Sequence, residues 1–440
     1  MNRPPSIDGT AKRLCLVALA CLALGGCAQI QIVTPANGSF VAPTGSVTAQ
    51  VAIQGQTCDT SFHATLDGVT VTSMFSPQPP ASSTPQATFP ALVPGDHLLT
   101  VSVQAGPRCL TVSATSTFYR VGPSSIYVTD GETSQLRDDR IVQMADMNGT
   151  GWTSFGSPGT GQNQFSFPRG VFVYSPTKIY IADQSNNRIV MIDDMTGAGW
   201  TAFGSQGYGV GQFWNPLGIF LDSAARIYIT DSGTGRIVRM DDMTGKNWIQ
   251  FGTVGGGTGQ FRDPAGIFVD SSGKIYVADS TNSRIVRIND MTGAGWTSFG
   301  SKGAGINQFN VPNMLFVDPS GRIYITDSNN CRVVRINDMS GSGWTSVGTC
   351  GSGSLQFNGQ TAFVGGVFVD TAGRIYVADA GNARLVRMND MSGSGWITLG
   401  TFGSGTGQFV YLNNVFVKPP SEIIVGRNSM SRSVAHDEQP

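Results

Sequence analysis

The chain has 440 residues, a net charge of −1, only 13% charged residues and 57 glycines. Near-neutrality argues against broad electrostatic attraction to nucleic acid or anionic lipid, and the length is enough for two or more hydrophobic cores. So much glycine with so little charge is expected of short strands joined by many tight turns.

Residues 1–27 read as an export signal. Arg3, Lys12 and Arg13 give a positive start, and the apolar run from Leu14 to Leu24 is too short to span a bilayer as a stable helix. The run ends in Leu24-Gly25-Gly26-Cys27, which resembles the lipobox of bacterial lipoproteins. That resemblance implies cleavage after Gly26 and a lipid on Cys27. Ala28 follows, with no Asp to favour the inner membrane, so the expected address is the outer membrane, held by the lipid anchor alone. Cys58, Cys109, Cys331 and Cys350 also survive processing. An even count in an exported chain favours disulfides, with the local pairs Cys58–Cys109 and Cys331–Cys350 the simplest choice. Neither pair has the clustered spacing of a zinc site.

Residues 28–120 alternate as short strands, among them Ser46–Ile53, Ser61–Leu66, His97–Val103 and Leu110–Phe118, separated by turns such as Asp67-Gly68. This predicts a small antiparallel β-sandwich. The Thr34-Pro-Ala-Asn-Gly38 opening and the Gly95-Asp-His-x-Leu-x-Val strand resemble bacterial immunoglobulin-like modules.

From residue 121 to 420 a repeat takes over. The unit Asp-Met-(Thr/Ser/Asn)-Gly-x-x-Trp begins at Asp146, Asp194, Asp242, Asp290, Asp338 and Asp390, at intervals of 48 residues and finally 52. A fixed period of this length means one supersecondary unit copied along the chain. Each copy contains four short β-branched or aromatic runs, called a to d. The first copy lacks strand a, and the last supplies one at Val415, so six four-stranded blades close when that strand joins the N-terminal blade. The run Gly-Gln-Phe-x-x-Pro-x-Gly-Ile-Phe-Val-Asp, followed by Ile-Tyr-Val-Ala-Asp-Ser-x-Asn-x-Arg-Ile-Val, resembles the NHL-repeat family, which implies an all-β, six-bladed β-propeller. Residues 421–440 form a tail in which Glu422–Asp437 looks like a decayed b–c hairpin, either a remnant or part of a seventh blade.

Related propellers include a zinc amidating lyase, lactonases and streptogramin lyases that work with His or Glu and a metal. This chain has no His between His97 and His436 and no Glu between Glu132 and Glu422, so its complete blades lack the commonest general bases and zinc ligand. No catalytic residue, metal or cofactor is therefore expected. A metal-assisted lyase or hydrolase acting in the channel is the alternative reading. Asp279 and Arg284 flank a tight b–c turn, and the same spacing recurs in five blades, as a structural pair would. The Asp-Met-Thr-Gly loops offer too few carboxylates for calcium.

Symmetric positions cannot make an asymmetric site, so binding is expected where the repeat breaks. The residue two before strand a varies around the channel mouth and includes Arg169, Asn313 and Asn413. Trp214 is the only tryptophan outside the six-fold register, in a d–a loop with Tyr208. These five side chains are expected to centre one surface for a protein, peptide or glycan, at least three of them accessible around one concavity and Trp214 at least partly exposed. The expected function is a non-enzymatic envelope lipoprotein whose propeller is a binding platform.

Overall fold

The computed structural model describes residues 125–131, 138–174, 178–359 and 363–418 of the repeat region. Outside it, the described residues are 29–34, 47–54, 62–66, 69–76, 86–89, 95–105, 110–120 and 430–432. Cys27, Cys58 and Cys109 lie outside these residues. Among the described residues no helix is long and apolar enough to cross a membrane. The chain divides into two units, 124–419 and a second built from 1–123 with 420–440.

The larger unit is the propeller. Its inner strands a are Pro168–Val173, Pro216–Leu221, Pro264–Val269, Pro312–Val317, Val364–Val369 and Leu412–Lys418. The last of these pairs antiparallel with Ser125–Asp130, which is strand b of the first blade, so that blade holds the two ends of the repeat together. We number the blades from this one. Blade 4 is representative: Pro264–Val269, Ile275–Asp279, Arg284–Ile288 and Thr297–Phe299 form an antiparallel meander. Every strand b and strand c of the ring is five or six residues long, with its β-branched residues buried between blades.

The inner strands neighbour one another in sequence, and the strand of blade 1 also neighbours that of blade 2, completing the circle. Glycine makes this approach possible. A Cβ on Gly266 would sit 2.8 Å from the Met314 Cα and 2.9 Å from the Leu315 nitrogen of the next inner strand. Each strand a also carries a bulge just after its first residue, as between Pro264 and Ile267. A bulge breaks the in–out alternation and re-aims the side chains within it.

Between blades lie aromatic stacks. Trp296 at the start of strand d packs on Phe261 of the preceding d–a loop at 5.3 Å between ring centroids, and Arg284 lies 5.5 Å above the indole. Equivalent Trp–Phe pairs occur in all six blades. The repeated tryptophans are therefore packing residues.

The second unit contains two antiparallel sheets. One orders Gln29–Thr34, Val47–Gln54 and Gln86–Phe89. The other orders Val69–Thr70, His63–Leu66, Gly95–Ala105, Leu110–Arg120 and Met430–Arg432. Phe62 and Phe75 meet edge to face at 5.3 Å in its core, near the buried Leu99 and Val101. The tail strand Met430–Arg432 pairs with Leu110–Arg120. These three residues extend this sheet and add no seventh blade.

Candidate functional site at the channel mouth

The six inner strands enclose a cavity of about 220 Å³. One half-buried phenylalanine per blade lines it: Phe172, Phe220, Phe268, Phe316, Phe368 and Phe416. Adjacent centroids lie 4.7–5.2 Å apart, and Phe416 meets Phe172 to complete the ring. In a regular hexagon the centre is as far from each vertex as the vertices are from one another. The rings therefore leave only a narrow bore. Above them the wall is aliphatic, with Ile219, Ile267, Leu315, Val367 and Val415. One residue earlier on each strand, four blades have glycine while blades 5 and 1 have Met314 and Asn414, which break the symmetry.

The mouth is built by the bulges. Arg169 lies in the bulge of blade 2, and its Nη1 donates to Asn413 Oδ1 of blade 1 at 2.7 Å. The Asn413 amide is fixed in turn, its Nδ2 donating to the carbonyls of Gly131 and Pro168. The Arg169 guanidinium lies between the rings of Phe167 and Phe363, 5.2 and 5.3 Å from their centroids. Since Phe363 belongs to blade 6, this side chain spans three blades. It is 4% exposed, its Nε has no hydrogen-bond partner, and burial pulls its pKa below the ordinary arginine value. Asn313, in blade 5, is also buried and donates to the Val364 carbonyl.

The other two expected residues stand apart. Tyr208 is 64% exposed, and its ring lies 5.4 Å from that of the half-buried Trp214. Trp214 packs on the b–c turn of blade 3, where a Cβ on Gly233 would collide with the indole. The expectation of one accessible surface is thus corrected. Arg169, Asn313 and Asn413 are buried, with Arg169 bonded to Asn413 and Asn313 to the Val364 carbonyl, whereas the exposed Tyr208 and half-buried Trp214 form a pair on the d–a loops. The bulge hydrogen bonds draw the mouth residues inward, and no single-sequence signal carries that. Phe167, Phe363, Tyr411, Asn414 and the phenylalanine ring were not singled out from the sequence. The phenylalanine in every Ile-Phe-Val strand was the available signal for the ring.

The repeated polar groups are committed to structure. Asp279 is wholly buried, and its Oδ2 accepts from Arg284 Nε at 2.7 Å and Asn282 Nδ2 at 2.9 Å while Oδ1 accepts from the Arg262 amide. Burial raises the Asp279 pKa, against the pull of these donors. The rest of the Arg284 fork reaches the carbonyls of Gly256, Gly257 and Gln260, tying the b–c turn to the preceding loop. In blade 1 Asp130 and Arg140 make the same pair across a longer turn, so all six blades have it. Asp290 Oδ1 accepts from the amide and hydroxyl of Thr292, and these bonds lower its pKa. Among the described residues no group of three or more His, Cys, Asp or Glu is placed to hold a metal ion.

The profile of the NHL repeat matches residues 261–288 and 309–336, the b–c cores of blades 4 and 5 with the approach to strand a. No curated protein matches. Among solved structures, a Bacteroides thetaiotaomicron protein of unknown function is similar at 14% identity, over 91% of this chain and 98% of that one, with a TM-score of 0.47. A streptogramin B lyase is similar at 13% identity, over 72% of this chain and 90% of that one, with a TM-score of 0.44. A Staphylococcus aureus virginiamycin B lyase with quinupristin is similar at 14% identity over 60% and 83%, with a TM-score of 0.41. Likeness at this level says nothing of activity or ligand. The chain carries NHL repeats, and they form blades of a β-propeller.

Proposed function

We propose that the protein is an outer-membrane lipoprotein, anchored through Cys27, whose propeller is a non-enzymatic platform for a protein partner. In this reading an immunoglobulin-like module made by residues 28–120 is the spacer between anchor and platform. The observation that carries the reading is the Tyr208–Trp214 pair, with Val210 76% exposed on the same loop. Val254, Ile306 and Phe402 are exposed on other d–a loops. Aromatic anchors beside aliphatic groups on otherwise polar loops have the composition of a protein interface core. A glycan would use the aromatic pair but leave the aliphatic side chains unpaired.

Two measurements test this. Metabolic labelling with a fatty-acid analogue should mark the wild type and not Cys27→Ser; equal labelling of both ends the lipoprotein reading. Crosslinked envelopes should yield a protein partner with the wild type. Trp214→Ala should lower that capture about tenfold or more, since losing a central aromatic anchor costs about 2 kcal/mol. Undiminished capture by a folded Trp214→Ala chain would move the partner surface elsewhere.

A further inference from the structure

We propose that the cavity enclosed by the inner strands is a binding site for a small neutral aryl carbonyl compound, its ring packed among the phenylalanines and its carbonyl oxygen accepting from Asn414. This goes beyond the partner surface above and does not depend on it.

The lining sets the chemistry. Besides the six phenylalanines it consists of aliphatic side chains, Gly218, Met314 and Asn414, with no ionisable side chain among the described residues. A carboxylate or ammonium drawn inside would lose its hydration and gain no counter-charge, which disfavours ionic ligands. Water is poorly held too, since an ordered water needs two to four polar partners and the side chains offer Asn414 alone. Apolar cavities of about 150 Å³ are known to take a benzene ring, so a volume of about 220 Å³ accommodates a ring with a short substituent. Each phenylalanine is half-buried and keeps part of its ring accessible. Neighbouring rings meet tilted or edge-on, an arrangement that a further aryl ring can join.

A wall of six equal blades cannot orient a ligand, but Asn414 and Met314 break its symmetry. Gly366 of blade 6 makes room for Asn414, because a Cβ there would collide with the Asn414 Oδ1. That oxygen accepts from the Val415 amide at 2.8 Å, which fixes the side chain and leaves its Nδ2 without a hydrogen bond among the described residues. Unlike the Arg169 Nε, this Nδ2 is not a sealed atom, and Asn414 itself is half-buried on the cavity wall. An unengaged donor suits a carbonyl oxygen, which only accepts. A phenol would bring a second donor to a wall whose one side-chain acceptor is already engaged. The Met314 thioether of blade 5 adds a soft contact for the aryl ring.

The test is ligand-observed NMR titration of the full chain with acetophenone. Saturable binding is expected, about ten or more times tighter than that of benzoate or benzylammonium, which share the ring but carry charge. Asn414→Leu keeps the size of the side chain and removes the donor. It should weaken acetophenone about fivefold relative to ethylbenzene, which has the same shape without the acceptor. Asn414→Phe, or Val367→Phe from blade 6, fills the cavity and should abolish binding of both compounds while the thermal melt stays cooperative. Absence of saturable binding, equal binding of the charged compounds, equal effects of Asn414→Leu on the two neutral ligands, or undiminished binding to a folded cavity-filling variant overturns the proposal. The comparison of acetophenone with its charged analogues uses the wild type, so it decides the matter even if no variant folds.

Discussion

Arg284 Nε donates to Asp279 Oδ2 at 2.7 Å, and the remaining arms of the same guanidinium reach three carbonyls of the preceding d–a loop. One side chain thus closes a turn within its blade and fastens that blade to the loop arriving from its neighbour. The indole of Trp296 covers the guanidinium, so the clasp sits where water competes weakly. Repetition of the Asp–Arg pair in all six blades distributes the fastening around the ring.

Removing one arm of the clasp leaves the wholly buried Asp279 without its counter-charge. Arg284→Met is expected to destabilise the propeller by about 3 kcal/mol, the usual cost of breaking a buried pair from one side. Asp279→Asn keeps the acceptor for the Arg262 amide and should cost less. Urea denaturation of the two variants checks the order; equal losses would mean that the charge pair contributes little beyond its hydrogen bonds.

Most of the fold was legible because the same 48-residue message is written several times over. The cyclic closure followed from one missing strand a at the start and one extra at Val415. The site was less legible, for reasons that differ by residue. Arg169 and Asn413 were marked by their departure from the repeat, but their bond joins positions 244 residues apart. Their burial depends on bulges that pattern alone does not reveal. The blade 1 clasp was missed because Arg140 follows Asp130 by ten residues where the other blades need five. The phenylalanine ring was missed for the opposite reason: a search for asymmetry passes over what every blade shares.

Cys331, at the end of the blade 5 b–c turn, is bonded to Cys350 of the following d–a loop, with Cα atoms 4.9 Å apart. The pair spans 19 residues, a loop whose closure stabilises by ~3 kcal/mol in the chain-entropy model. Reduction, or Cys350→Ser, should lower the melting temperature of the propeller by several degrees without abolishing the cooperative transition. Free thiol at both positions in the exported, unreduced protein would count against the bond.

Burial pushes the Asp130 carboxyl up to about 6, although the Tyr411 and Val410 amides and Arg140 pull it down. The nearby Asp138 carboxylate, which shares Arg140 with Asp130, pushes it up by charge repulsion. The folded chain therefore binds this proton more tightly than the unfolded chain, whose carboxyl titrates near the ordinary value of 3.8. Stability from this group is gained as pH falls through 6 and is fully gained below the unfolded value. Against Asp130→Asn, the wild type should gain relative stability between about pH 7.5 and about pH 5, measured by urea melts. Asp242, Asp290, Asp338 and Asp390 act in the other direction, because Thr and Ser hydrogen bonds lower their pKa. Their contribution is lost only in stronger acid. Parallel pH profiles for wild type and Asp130→Asn would show that Asp130 stays ionised throughout.

Two phenylalanines seven residues apart separate the packing between blades from the ring in the channel. Phe261 is wholly buried, touching Phe251, Trp296 and Gly252, where a Cβ would lie 2.7 Å from its ring. The neighbouring backbone is fixed by the clasp and by Gly252 at φ 110°, so the space left by Phe261→Ala has little freedom to collapse. A loss of about 4 kcal/mol is expected, as for a large-to-small change in a rigid core. Phe268 meets Phe220 at 4.7 Å and Phe316 at 5.2 Å but borders the cavity and is half-buried. Phe268→Ala forfeits two ring contacts and part of its buried area while enlarging a space that already exists, for about 1–2 kcal/mol. Chemical denaturation of both variants should give that ranking. The reverse ranking would make the phenylalanine ring a main support of the propeller, and the channel could then not be widened without unfolding it.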